Sequence, residues 1–138
     1  MDCRLIFYSA HKTSFCERSL KKSFSELDFS LCDTTFATDS VDLGNQIIDA
    51  FKICNIVFVL GGLRIDGRKS TDNVLSRALA DENLDDFKKL KNSFGDDGYV
   101  FRVQKQVLVV LPDEPEQIEA IMQGPLSGYI KKAEITRV

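Results

Sequence analysis

The residues best suited to hold a ligand follow the apolar segment Ile53–Leu60. Two glycines, Gly61 and Gly62, end that segment, and Leu63 follows them. Glycine lets the backbone adopt positive φ angles and lets a ligand approach the main chain closely. Cationic side chains come next in the sequence, and they are Arg64, Arg68 and Lys69. The stretch therefore places a bare backbone turn beside a cluster of positive charge.

A helix is expected to begin directly after these cations. Ser70 or Thr71 can cap a helix over about 71–80, whose apolar residues are Val74, Leu75, Ala78 and Leu79. The free N–H groups and the positive dipole end of a helix N-terminus favour an anion. The stretch thus predicts a phosphate or carboxylate site. The alternative is a tight strand-to-helix turn with solvated basic residues, because neither the P-loop nor the dinucleotide-binding glycine pattern is present.

A second candidate bend is Leu111–Pro115. Pro112 and Pro115 end the preceding strand, with Asp113 between them, and Pro115 suits the first position of a helix to about Gln123. This bend again offers N–H groups at a helix N-terminus. The alternative is a strand stop with no ligand.

The other polar residues are weaker candidates for a functional site. His11 follows the first strand, but a histidine without a carboxylate partner in view is expected to be incidental to acid–base chemistry. Asp39 precedes the second helix, where it could contact a ligand or favour the helix N-terminus; we expect the second. The cysteines lie too far apart for a zinc site, which predicts no metal and reduced core thiols. They are Cys3, Cys16, Cys32 and Cys54.

Composition is that of a globular protein. The chain has 138 residues, 43% of them hydrophobic, and a net charge of −3, which gives no general attraction to nucleic acid or anionic membranes. The longest apolar run, Ile56–Leu60, is far below the roughly 20 residues of a membrane span. We expect one cytoplasmic domain over residues 1–138, with neither a nucleic-acid nor a membrane partner.

Hydrophobic patterning predicts alternating strands and helices. This order indicates a three-layer α/β/α fold with a mostly parallel sheet. The predicted strands are Arg4–Ala10, Phe29–Thr38, Ile53–Leu60, and a hairpin of Tyr99–Val103 and Val107–Leu111. The predicted helices begin at a capping box of Ser14 and Glu17, at Ser40 as N-cap (to Lys52), and at Pro115. A short helix is expected around Phe87 and Leu90, and an edge strand over 133–138.

Together the two bends resemble the molybdopterin-binding fold shared by MogA, MoaB and the N-terminal domain of CinA-type proteins. In that family a strand runs into Gly-Gly-Leu/Thr-Gly and then Asp-x-Thr at a helix start, and a later strand ends in Leu-Pro-Gly-x-Pro. Here Gly61–Arg64 with Lys69–Thr71 is similar to the first motif, and Leu111–Pro115 to the second. The resemblance covers about residues 3–130. It implies a molybdopterin or nucleotide ligand and a homo-oligomer, a trimer or dimer.

The departures from those motifs bear on chemistry. Lys69 stands at the family's aspartate, Arg68 at the acidic residue before it, and Arg64 at a glycine. Lys69 thus replaces a carboxylate that could hold a metal ion. Asp113 stands at the glycine of Leu-Pro-Gly, where its charge would crowd and repel a phosphate. We expect a retained scaffold that has lost its usual catalytic carboxylate.

Three functions remain open at this point. The first is binding of a phosphate-bearing small molecule, a pterin or a nucleotide. The second, implied by the resemblance, is a Mg²⁺-dependent nucleotidyl transferase or ADP-ribose pyrophosphatase, in which Asp66 or Asp72 would replace the lost carboxylate. The third is a non-catalytic oligomeric interaction protein. The expected ligand-contacting residues are Gly61, Gly62, Leu63, Arg64, Arg68, Lys69, Ser70, Thr71, Pro112, Asp113, Pro115 and Asp39.

Overall fold

The computed structural model of the chain describes residues 2–62, 75, 86–92, 97–103 and 105–133. The strands are β1 (Asp2–Tyr8), β2 (Ser30–Ala37), β3 (Ile56–Leu60), β4 (Asp86–Leu90), β5 (Gly98–Val103) and β6 (Gln106–Leu111). The helices bounded in this part of the chain are α1 (Thr13–Leu27), α2 (Ser40–Phe51), α3 (Pro115–Gln123) and α4 (Pro125–Ala133).

The strands form one six-stranded sheet in the order β2-β1-β3-β6-β5-β4. Four neighbouring strands, β2, β1, β3 and β6, run parallel, whereas β5 and β4 are antiparallel additions at one side. The predicted mostly parallel sheet and the predicted hairpin of β5 and β6 are therefore confirmed. β3 lies between β1 and β6, and all of its residues, Ile56–Leu60, are buried, which explains its nearly continuous apolar sequence.

Helices cover both faces of the sheet, as predicted. One core cluster joins α1, α3 and α4 to residues of β1, β3 and β6, and it includes Leu20, Phe24, Phe58, Ile118 and Leu126. The other joins α2 and Leu75 to the opposite side of the same strands, and it includes Ile6, Leu43, Ile47, Val59 and Val110. The apolar residues of β1 alternate between the two clusters, as strand geometry requires.

The secondary structure differs from the prediction in two segments. The predicted short helix around Phe87 and Leu90 is strand β4, because this segment pairs with β5 and the ring of Phe87 packs 4.8 Å from that of Phe101, centroid to centroid. Helix α4 was missed, although Leu126, Tyr129 and Ile130 are spaced for one buried helical face. The predicted edge strand over 133–138 lies outside the described residues except for Ala133, which ends α4.

The cysteines differ in exposure. Burial raises the pKa of Cys3 to about 12 and that of Cys16 to about 11. The pKa of Cys54 is also raised, first by burial and then by the neighbouring Cys32 thiol. Cys32 itself is exposed, which corrects the prediction of four core thiols. A β-bulge in the edge strand β2 leaves it without a register partner on β1.

This difference predicts a single fast-reacting thiol in the native protein. A small aromatic disulfide reagent at pH 8 should modify Cys32 rapidly, because only an accessible thiolate attacks a disulfide and the buried thiols stay protonated. Cys32→Ser should remove the fast phase, whereas Cys16→Ser should leave it. A fast phase that survives Cys32→Ser would contradict the assignment.

Candidate functional site

The carboxyl ends of the four parallel strands meet at one edge of the sheet. Phe7 of β1 is in register with Leu60 of β3, and Leu60 with Leu111 of β6. The loops that follow these strands therefore begin side by side. We call this edge the carboxyl rim; it consists of residues 9–12, 38–39, 61–62 and 112–114. Ligands of open α/β sheets bind at such an edge.

Gly61 and Gly62 end β3 in the conformation that the sequence predicted. Their φ angles are +95° and +72°, in the left-handed region that favours glycine. The N–H of Gly61 donates to the carbonyl oxygen of Leu111 at 3.1 Å, so the first bend is hydrogen-bonded to the start of the second. A Cβ at Gly61 would collide with the carbonyl oxygen of Tyr8 and lie 2.8 Å from the Cβ of Ala10. The protein's own packing thus requires glycine at 61.

The loop between β1 and α1 is conformationally strained. Ser9 and Lys12 have φ angles of 47° and 54°, which cost a non-glycine residue on the order of 1–3 kcal/mol each. Lys12 occupies the N-cap position of α1, and among the described residues no side chain caps this helix. The predicted capping box of Ser14 and Glu17 does not form, because the helix begins at Thr13. Strain of this kind persists only where surrounding contacts hold it.

Those contacts come from the loop between β6 and α3. Asp113 Oδ2 accepts a hydrogen bond from the backbone N–H of His11 at 2.7 Å and lies 3.2 Å from the Nδ1 atom of the same residue. Lys12 Nζ donates to Glu114 Oε2 at 2.8 Å. The hydrogen bond and charge of Glu114 raise the pKa of Lys12 above its usual value. Two consecutive residues of one loop are thus tied to two consecutive residues of the other.

The second bend begins a helix as predicted. Pro115 is the first residue of α3, and Glu114 is its N-cap in an extended conformation that provides no side-chain cap. The first N–H groups of α3 therefore lack the side-chain acceptor that usually satisfies one of them. Pro112 is buried and Asp113 is partly buried, at 20% side-chain exposure. The helix N-terminus and the carboxylate of Asp113 consequently belong to the same corner of the rim.

Asp39 caps helix α2. Its carboxylate accepts from the backbone N–H of Asp42 at 2.8 Å, and Asp42 in turn accepts from the N–H of Thr38 at 2.9 Å. The Thr38 hydrogen bond lowers the pKa of Asp42. The expected helix-capping role is confirmed, although the N-cap is Asp39 and not Ser40. Contact between Asp39 and a ligand stays a prediction.

The structure brings together part of the predicted site. Gly61, Gly62, Pro112 and Asp113 lie at the centre of the rim. Asp39 follows β2, the edge strand that pairs with β1. Leu63, Arg64, Arg68, Lys69, Ser70 and Thr71 lie outside the described residues. Of the predicted helix over about 71–80, the structure describes Leu75, which is helical and buried.

His11 is the rim residue that sequence reasoning undervalued. Its carboxylate partner, Asp113, stands 102 positions later in the chain, so no local pattern could reveal the pair. The strand order could have revealed the pair, because both residues follow parallel strands that flank β3. Among the described residues, no group of three His, Cys, Asp or Glu side chains could hold a metal ion.

The close contact at Gly61 predicts a large effect of a single methyl group. Gly61→Ala should destabilise the fold by about 2–4 kcal/mol, since it adds backbone strain and a clash with β1. Urea unfolding measures this change. Gly44→Ala in α2 is the matched control: nothing lies within 4 Å of its added Cβ, and we expect a gain of about 0.5–1 kcal/mol. Equal effects of the two substitutions would contradict the packing argument.

The capping geometry gives a second stability prediction. Asp39→Ala should lower the free energy of unfolding by about 1 kcal/mol, because the N–H of Asp42 loses its acceptor. Asp39→Ser should keep most of that stability, since serine caps helices comparably well. Thermal unfolding of both variants tests this role. If Asp39 only contacted a ligand, neither substitution would change the stability of the free protein.

No protein-family model and no curated protein sequence matches the chain. Solved structures do. The CinA protein of unknown function from Thermoplasma acidophilum superposes with a TM-score of 0.71 at 14% identity, over 97% of both chains. The molybdopterin biosynthesis Mog protein from Mycobacterium ulcerans gives 0.73 at 15% identity, over 99% of this chain and 97% of that one.

The tungsten cofactor synthesizing protein MoaB from Pyrococcus furiosus gives a TM-score of 0.64 at 15% identity, over 99% of this chain and 97% of that one. None of the helices in the described ranges is both long and apolar enough to cross a membrane. At identities this low the likeness concerns the fold. The chain has the α/β fold of the MogA, MoaB and CinA proteins.

Proposed function

We propose that this protein binds a phosphate-bearing small molecule, a pterin or a nucleotide, at the carboxyl rim. The observation that carries the proposal is the adjacency of the two bends: Gly61 donates to Leu111 at 3.1 Å, so the glycine turn and the start of Pro112–Pro115 are neighbours. The N-terminus of α3 has no side-chain cap in the described structure, and its N–H groups suit an anion.

The fold adds a second line of support. Neighbours named for molybdopterin biosynthesis share nearly the whole chain's architecture, which makes a pterin or nucleotide the first ligand class to test. The cations Arg64, Arg68 and Lys69 follow Gly62 in the sequence and would add attraction for phosphate. In this proposal the usual catalytic carboxylate is replaced by Lys69, and the site binds its ligand without cleaving it.

Binding should be visible as added thermal stability. A ligand at 100 times its dissociation constant adds about 2.7 kcal/mol, which raises the melting temperature by several degrees. A thermal-shift screen would compare a pterin, ADP-ribose and adenine nucleotides at up to millimolar concentration. The absence of any shift across this set would contradict the proposal.

A pair of lysine variants locates the site. Lys69→Ala should weaken binding of the responding ligand, because it removes a cation next to the predicted helix N-terminus. Lys105→Ala is the matched control, since Lys105 is an exposed lysine in the turn before β6, at the opposite end of the sheet. Equal weakening by both variants would place the ligand elsewhere.

The homo-oligomer and the cytoplasmic location stay predictions. Light scattering tests the oligomeric state.

A further inference from the structure

His11 differs from an ordinary surface histidine in how it is held. Its backbone N–H and its Nδ1 atom both lie within 3.2 Å of a single oxygen, Asp113 Oδ2. A carboxylate in its ionised form can only accept hydrogen bonds, so a hydrogen bond between this carboxylate and the ring requires hydrogen on Nδ1. The other nitrogen, Nε2, is then the atom through which the ring can meet a partner. The side chain is 85% exposed, so it is accessible to a ligand.

The position of His11 connects the two bends of the rim. The preceding residue, Ala10, packs against Gly61, where an added Cβ would lie 2.8 Å from the Ala10 Cβ. The contact with Asp113 links His11 to the second bend. His11 therefore stands between the glycine turn and the loop that begins α3, the two parts that the proposed binding site uses.

Building on the proposed function, we propose that His11, oriented by Asp113, binds the phosphate of the ligand through Nε2 in its protonated form. A protonated imidazole has hydrogen on both ring nitrogens, so it can donate Nδ1–H to Asp113 and Nε2–H to a phosphate oxygen at once. The neutral ring with hydrogen on Nδ1 presents a lone pair at Nε2, which repels an anion. Ligand affinity consequently falls as pH rises.

Within the described part of the chain, neither Lys12 nor Cys16, the titratable neighbours of His11 in its own loop and helix, produces this dependence. Lys12 is paired with Glu114 at 2.8 Å and has a raised pKa, so it keeps its charge. The thiol of Cys16 donates to the carbonyl oxygen of His11 at 3.8 Å, and its pKa of about 11 keeps it protonated at neutral pH. Histidine is the side-chain type whose ordinary pKa allows a change of charge near neutral pH.

Calorimetry with ADP-ribose tests the inference. The pyrophosphate of this probe is a diester whose charge is constant between pH 5.5 and 8.5, so a change in affinity over that range reflects the protein. We expect binding about tenfold tighter at pH 5.5 than at pH 8.5, the size of one charge-assisted hydrogen bond. His11→Gln should bind equally at both pH values, whereas Lys105→Gln, which removes a distant positive charge, should retain the wild-type dependence.

Each result separates this inference from the proposed function. Wild-type affinity that is independent of pH, or a pH dependence that persists in His11→Gln, overturns the role of His11 and leaves the binding site in place. If neither ADP-ribose nor any pterin or nucleotide binds at either pH, both the role of His11 and the proposed binding site are overturned. A second measurement uses the fact that His11 is the only histidine: ¹⁵N spectra of its ring should show hydrogen on Nδ1 in the neutral form and a ligand-induced shift at Nε2.

Discussion

The parallel pairing of β3 with β1 on one side and with β6 on the other brings together the described candidate residues at the centre of the rim. A strand buried on both faces can satisfy its backbone groups only through its neighbours, and Ile56–Leu60 is buried throughout. The register that results places Phe7, Leu60 and Leu111 side by side. Residues from three distant parts of the chain thus become neighbours because a single strand must hydrogen-bond to both sides.

The contacts between the loops of the rim determine the conformation of the loop between β1 and α1 more than they raise the free energy of unfolding. Lys12 is 54% exposed, and ion pairs between exposed groups contribute little to stability. The left-handed φ angles at Ser9 and Lys12 are conformations that cost a non-glycine residue free energy. The contacts to Asp113 and Glu114 therefore hold the loop in this conformation rather than add to the stability of the fold.

Sequence patterns predicted the central elements well because those elements are defined by burial. The apolar run of β3 and the spacing of Leu43 and Ile47 in α2 allow one interpretation each. Strand β4 was not predicted, because Phe87 and Leu90 are three residues apart, a spacing that suits one face of a helix. In the strand that forms, these two side chains lie on opposite faces, and pairing with β5 determines the structure. The pair of His11 and Asp113 needed the strand order, which no local pattern contains.

Asp113 was expected to repel a phosphate, because it replaces a glycine with a negative side chain. Its carboxylate instead accepts from His11, which places an imidazole next to that charge. Lys12, Asp113 and Glu114 together carry a net charge of −1 when the imidazole is neutral, and a proton on His11 brings this described part of the rim to zero. The negative charge that Asp113 brings to the rim is therefore placed directly beside the one imidazole of the chain. A glycine at this position would neither add that charge nor provide the carboxylate that contacts the His11 backbone and ring.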